Sequence, residues 1–144
     1  MVNDILTAVS LRLKGKFGYP VYGDEPISQG MKRPCFFICL TGAAETPLIA
    51  GRKWLEVPLD VVYFSQSKGV YSEMRQVGQE LFDALRVLPL SDGSLIRGRG
   101  CRFEISDGVL HFYITFAMHL LPSEEDRDVS DILMENLDLQ LGLD

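Results

Sequence analysis

Between Leu110 and Leu120 apolar and polar-face positions alternate without a break. Leu110, Phe112, Ile114, Phe116, Met118 and Leu120 stand against His111, Tyr113, Thr115, Ala117 and His119. A period of two places the two sets on opposite faces of a strand, so the wholly apolar set requires cover. Asp107-Gly108 lies just upstream. Such a pair is a strong hairpin signal, because both central positions of the tight turn need positive φ. The pattern predicts a hairpin with arms over 99–106 and 109–121.

Helical spacing supplies the cover. Ile5, Leu6, Val9 and Leu13 form a stripe over residues 3–14. Asn3 or Asp4 can cap its start, and Gly15 suits its end. Pro20 holds Tyr19–Tyr22 extended, and Gly23–Pro34 reads as a surface loop. Cys35–Thr41 alternates between two mostly apolar faces, which predicts a central strand. Gly42–Gly51 reads as a loop. In Lys53–Phe64, Leu55, Val57, Leu59, Val61 and Tyr63 share one face, and Trp54, Glu56, Pro58, Asp60 and Val62 the other. Pro58 cannot donate to a ladder and predicts an edge or a bulge. A second helix runs from Val70 or Tyr71 to Leu88, on Met74, Val77, Gly78, Leu81, Phe82, Leu85 and Leu88, with Ser72 as a cap and Pro89 as its stop. The expected fold is a two-layer α+β domain. A four-stranded, mainly antiparallel sheet lies beneath two helices in the order α-β-β-α-β-β.

Charge divides the chain at Pro122. Net charge is −6 over 144 residues. Residues 122–144 hold eight acids and one base, or −7, leaving 13 bases and 12 acids, or +1, in residues 1–121. The expected organisation is therefore a neutral domain over 1–121 and an acidic C-terminal extension over 122–144. The extension's apolar residues Ile132, Leu133, Leu137, Leu139, Leu141 and Leu143 suit docking on a neighbour. A neutral body offers no general field for nucleic acid or an anionic membrane. With 47% hydrophobic residues a sizeable core is expected. No apolar run reaches the roughly 18 residues that would span a bilayer. The first residues carry no signal-peptide pattern. Three cysteines without metal or redox spacing read as small buried thiols in a reducing compartment.

Catalytic chemistry finds little support. His111 and His119 share a strand face but lie roughly 26 Å apart at ~3.3 Å per residue, too far to share a metal. Cys35 and Cys39 are about 13 Å apart by the same rise, too far for a disulfide. Glu56, Asp60 and Glu104 are the acids available for a metal-dependent nuclease site, but Glu56 and Asp60 are four strand residues apart. Arg97, Arg99 and Arg102, interleaved with Gly98 and Gly100, form the basic cluster. RGRG lacks the Lys and Ser or Thr of a phosphate loop. The cluster suits salt bridging, for which the acidic tail of an adjacent subunit is one partner, or plain solvation.

Two stretches carry a family resemblance: VYGDEPISQGMKRPCFFICL at 21–40 and LIRGRGCRFEISDGVLHFYITF at 95–116. Tyr22, Glu25, Gln29, Gly30, Pro34, Cys35, Phe36, Phe37 and Ile38 carry the first motif. Arg97, Gly98, Asp107, Gly108, Val109, Leu110, His111 and Phe112 carry the second. The chain resembles the tail terminator proteins of contractile-tailed phages and phage-like elements of Gram-positive bacteria. It departs from them in Trp54 and in its leucine-rich last ten residues. The resemblance implies a structural virion protein with no catalytic residue, metal or cofactor. Such proteins form a ring, typically hexameric, at the head-proximal end of the tail tube. The ring stops tube polymerisation and offers a head-joining surface, and it is assembled in the host cytoplasm. The implied partners are further copies of the chain, the tail tube protein, the sheath protein and head-completion or connector proteins, with no membrane and no sequence-specific nucleic acid. Candidate interface residues are Trp54, Arg97, Arg99, Arg102, His111, Tyr113, His119, Ile132, Leu133 and Leu137.

Overall fold

The computed structural model describes residues 1–23, 30–67 and 70–122. Helix α1 spans Val2–Phe17. It buries Ile5, Ala8, Val9 and Leu13, the expected stripe with Ala8 added and Leu6 half-buried. Its ends differ from expectation. Met1 is the N-terminal cap, without a side-chain bond, and the helix runs through Gly15 to Gly18. Gly18 takes a left-handed conformation, and its N–H donates to the Lys14 carbonyl. Helix α2 spans Tyr71–Ala84 and buries Met74, Val77, Gly78, Leu81 and Ala84. Val70, not Ser72, occupies its cap position. Its last carbonyl turn is served from α1, because Arg12 Nη1 donates to the Ala84 carbonyl at 3.0 Å.

The sheet has seven strands, not four, and it is mixed. Strands β1 (Val21–Tyr22), β2 (Cys35–Leu40), β4 (Lys53–Phe64), β7 (Val109–Leu120), β6 (Leu95–Ser106) and β5 (Val87–Pro89) lie side by side in that order, and β3 (Ala44–Pro47) pairs with β4. The three additional strands are short, and each has its own reason for escaping the periodicity. Strand β1 has two residues and joins β2 in parallel, with Val21 opposite Phe36. Strand β3 is exposed along its whole length and so carries no apolar alternation. Strand β5 continues the helical stripe in register, because Leu85 and Leu88 follow Leu81 at spacings of four and three. Pro89 nevertheless disfavours helix at Leu88, and the chain turns extended at Val87. Leu88 is fully buried from that strand.

Pro58 was expected at an edge or bulge, yet β4 lies between β2 and β7. The last β2 pair is Leu40 with Leu59. Beyond it, Thr41 Oγ1 donates to the Pro58 carbonyl at 3.2 Å. An extended residue aims its N and C=O at the same edge, so the missing Pro58 donor faces a side that β2 has already left.

Two compact units are distinguished. Of the described residues, one comprises Met1–Ala43 with Glu56–Ala117, and the other Ala44–Leu55 with residues 118–122. The first holds both helices and the main core: Tyr63, Phe36, Phe112, Phe116, Leu13, Leu81 and Ile114. Glycine is required at two close approaches in this unit. A Cβ at Gly78 of α2 would stand 2.8 Å from the Phe103 ring, and one at Gly98 of β6 would stand 2.2 Å from Ile114 Cδ1 and 3.0 Å from the Leu85 carbonyl. In the second unit, Lys53 Nζ and Glu45 pair at 3.4 Å, and Trp54 meets the His119 ring edge-on at 4.7 Å. No described helix is long and apolar enough to cross a membrane. Residues 123–144, which carry most of the expected extension, lie outside the described residues.

Candidate interaction face

One face of the first unit's sheet is buried beneath α1 and α2. The other carries Phe37 and Cys39 of β2, Glu56, Asp60 and Val62 of β4, and His111, Tyr113, Thr115 and Ala117 of β7. These β7 residues are only half-buried. On β6, register decides what joins them. Arg97 pairs with Ala117, Arg99 with Thr115, Arg102 with Tyr113, and Glu104 with His111. Between Arg99 and Arg102 β6 inserts one extra residue: Gly100 and Cys101 stand opposite Ile114 alone. Gly100 takes φ 64°, a left-handed value that suits glycine at a bulge. A strict period of two would send Arg102 to the opposite face from Arg97 and Arg99. The bulge returns it, so all three arginines and Glu104 stand on the open face, beside the polar side of β7.

A polar cluster spans β4, β7 and β6. His111 Nδ1 lies 3.0 and 3.3 Å from the two Asp60 carboxylate oxygens. The His111 ring stacks on Tyr113 at 6.1 Å, with planes 11° apart. The Tyr113 hydroxyl donates to Glu104 Oε1 at 3.0 Å, a bond that raises its pKa above the ordinary value of 10.0. Arg102 lies over the Tyr113 ring at 4.1 Å and donates to Glu104 Oε2 at 3.4 Å. Within the cluster, Asp60, His111, Tyr113, Glu104 and Arg102 each meet a neighbour, and the aromatic rings present planar surface. That composition suits a protein interface. Toward the hairpin turn the same face opens into a hollow of about 450 Å³, lined by Met31, Phe37, Val62, Phe64, Val109 and His111 among others.

The structure therefore joins Arg97, Arg99, Arg102, His111 and Tyr113 on one face, and Trp54 and His119 within the second unit. Ile132, Leu133 and Leu137 lie outside the described residues, as do Glu25 and Gln29 of the first motif. The acids weighed for a nuclease site serve other contacts: Asp60 meets His111, and Glu104 meets Tyr113 and Arg102. Among the described residues no three His, Cys, Asp or Glu side chains stand where they could hold a metal ion. Of the thiols expected to be buried, Cys35 is buried, Cys101 is half-buried and Cys39 is exposed. Burial pushes the Cys35 and Cys101 thiols up from their ordinary value, away from thiolate reactivity. Sequence reasoning missed Asp60 and Glu104 as positioning groups for His111 and Tyr113, and it missed the hollow. The one signal for the shared arginine face was Gly100, a glycine inside a strand pattern.

The family model for phage tail terminator proteins matches residues 4–128. No curated protein matches the chain. Among the solved structures that match, one aligns over 85% of this chain and 99% of its own, at 16% identity and a TM-score of 0.47. The family model covers both motif stretches and every described element except Val2 and Asn3 at the start of α1. The chain belongs to the phage tail terminator family, structural proteins of virion tail assembly.

Proposed function

We propose that this chain caps the head-proximal end of the tail tube as a closed ring, stops tube polymerisation and presents the surface on which the head is joined. The observation that carries this reading is the family match over residues 4–128. A cap acts through surfaces alone, and the open face has the required composition: paired charges, exposed aromatic rings and an apolar hollow, on a rigid sheet. Its partners are further copies of the chain, in a ring of six, the tail tube protein, and the sheath and head-completion proteins. Residues 1–121 form the body of the subunit, and 122–144 are an extension that reaches a neighbour. Heterologous contacts of that kind close rings.

Removing the gene tests the reading. Tails assembled without the protein are expected to be abnormally long or to remain unjoined to heads, with both defects reversed when the protein is supplied. Tails of normal length that join heads would contradict it.

A further inference from the structure

The bulge at Gly100–Cys101 gives the open face three arginines within six residues of β6, although the body as a whole is close to neutral. The same chain carries a compensating charge elsewhere. Residues 123–144 are 22 residues long and open with Glu124, Glu125, Asp126, Asp128 and Asp131 against one Arg127. We infer that this acidic segment of one copy docks on the arginine row of a second copy, with Asp126 and Asp128 against Arg97 and Arg99. The inference rests on the ring reading above and names the contact that joins its subunits.

Charge and length both fit. Arg97 and Arg99 are two strand residues apart, roughly 7 Å, and an extended Asp126–Asp128 pair has the same spacing. Arginine forks match carboxylates bidentately, which fixes register as well as attraction. Farther along the same face, the hollow near Val109 lies roughly 20 Å from Arg99 and roughly 26 Å from Arg97 at ~3.3 Å per residue. Ile132, Leu133 and Leu137 follow Asp128 by four to nine residues, or roughly 13–30 Å when extended. One segment that starts on β6 and crosses β7 thus presents acids to the arginines and then leucines to the hollow, where Val109 of β7 meets Val62 and Phe64 of β4. Arg102, already engaged with Glu104 and Tyr113, borders this track.

The test is a charge swap in the full-length chain, read by sedimentation equilibrium. One variant carries Arg97→Glu and Arg99→Glu, and the other carries Asp126→Lys and Asp128→Lys. Each alone is expected to lose self-association by tenfold or more relative to the unaltered chain, whose own association weakens as salt rises. Mixed in equal amounts, the two should associate again. The Lys-bearing segment then meets the Glu-bearing face, and the acidic segment meets the intact arginines. Recovery in the mixture also shows that both variants are folded, and it excludes docking within one copy, which mixing cannot repair. Three results would each overturn the proposal: an unaltered chain that stays monomeric at every concentration, variants that associate as well as it does, or a mixture that does not recover. The ring reading survives all three if tails lacking the protein still grow too long.

Discussion

Single residues set how closely the layers of the first unit can approach. At Gly98 a Cβ would press on Ile114 and on the Leu85 carbonyl, so Gly98→Ala should destabilise the fold by about 1–3 kcal/mol. Gly15, inside α1, has nothing within 4 Å of an added Cβ. Gly15→Ala should therefore stabilise by about 0.5–1 kcal/mol through helix propensity and lost chain freedom. Opposite shifts in urea midpoint check the pair. Tyr63 gives a pH-dependent counterpart. Its ring is fully buried, and its hydroxyl donates to Glu73. Burial first, and then that carboxylate, push its pKa up from the ordinary 10.0. A raised folded value means the neutral phenol contributes its full stabilisation below pH 10 and loses it as pH climbs above. Tyr63 should be the last tyrosine to ionise, and its ionisation should accompany alkaline unfolding. Tyr63→Phe should weaken that alkaline dependence, as followed by tyrosinate absorbance and circular dichroism.

Elements were legible in the sequence in proportion to their length. The hairpin of β6 and β7 follows from the alternation of β7 and the Asp107-Gly108 turn, and β2, β4 and the stripes of both helices follow from periods of 2 or 3.6. The short strands do not: two or three residues hold no period, and β5 hides within a helical one. The Asp107-Gly108 turn was explicit in the residues, and both take positive φ, 53° and 73°. Gly108→Val should cost about 1–2 kcal/mol, since a branched residue resists the left-handed region. Of the interaction face, the residue types were visible and their grouping was not. Arg97 and Arg102 differ by an odd number, so strand alternation separates them, and only the extra residue at the bulge reunites them. Gly100→Val strains that bulge. It should lower the melting temperature and, by misplacing the arginine row, reduce self-association, as measured by sedimentation.

At the scale of the whole molecule, the open face spends polar groups on one another: Asp60 on His111, and Glu104 on Tyr113 and Arg102. The cap proposed above would have to recognise an end, which needs a defined face, and the helices beneath the first unit's sheet support one. The proposed role sets where the protein should stand on a virion, because a cap occupies one place per tail and a tube or sheath subunit occupies many. Gold-labelled antibody against this chain, imaged on negatively stained tails, reads that directly. The account predicts one cluster of label per tail, at the head-proximal end of the tube. Label spread along the tail, or gathered at the distal tip, would contradict it.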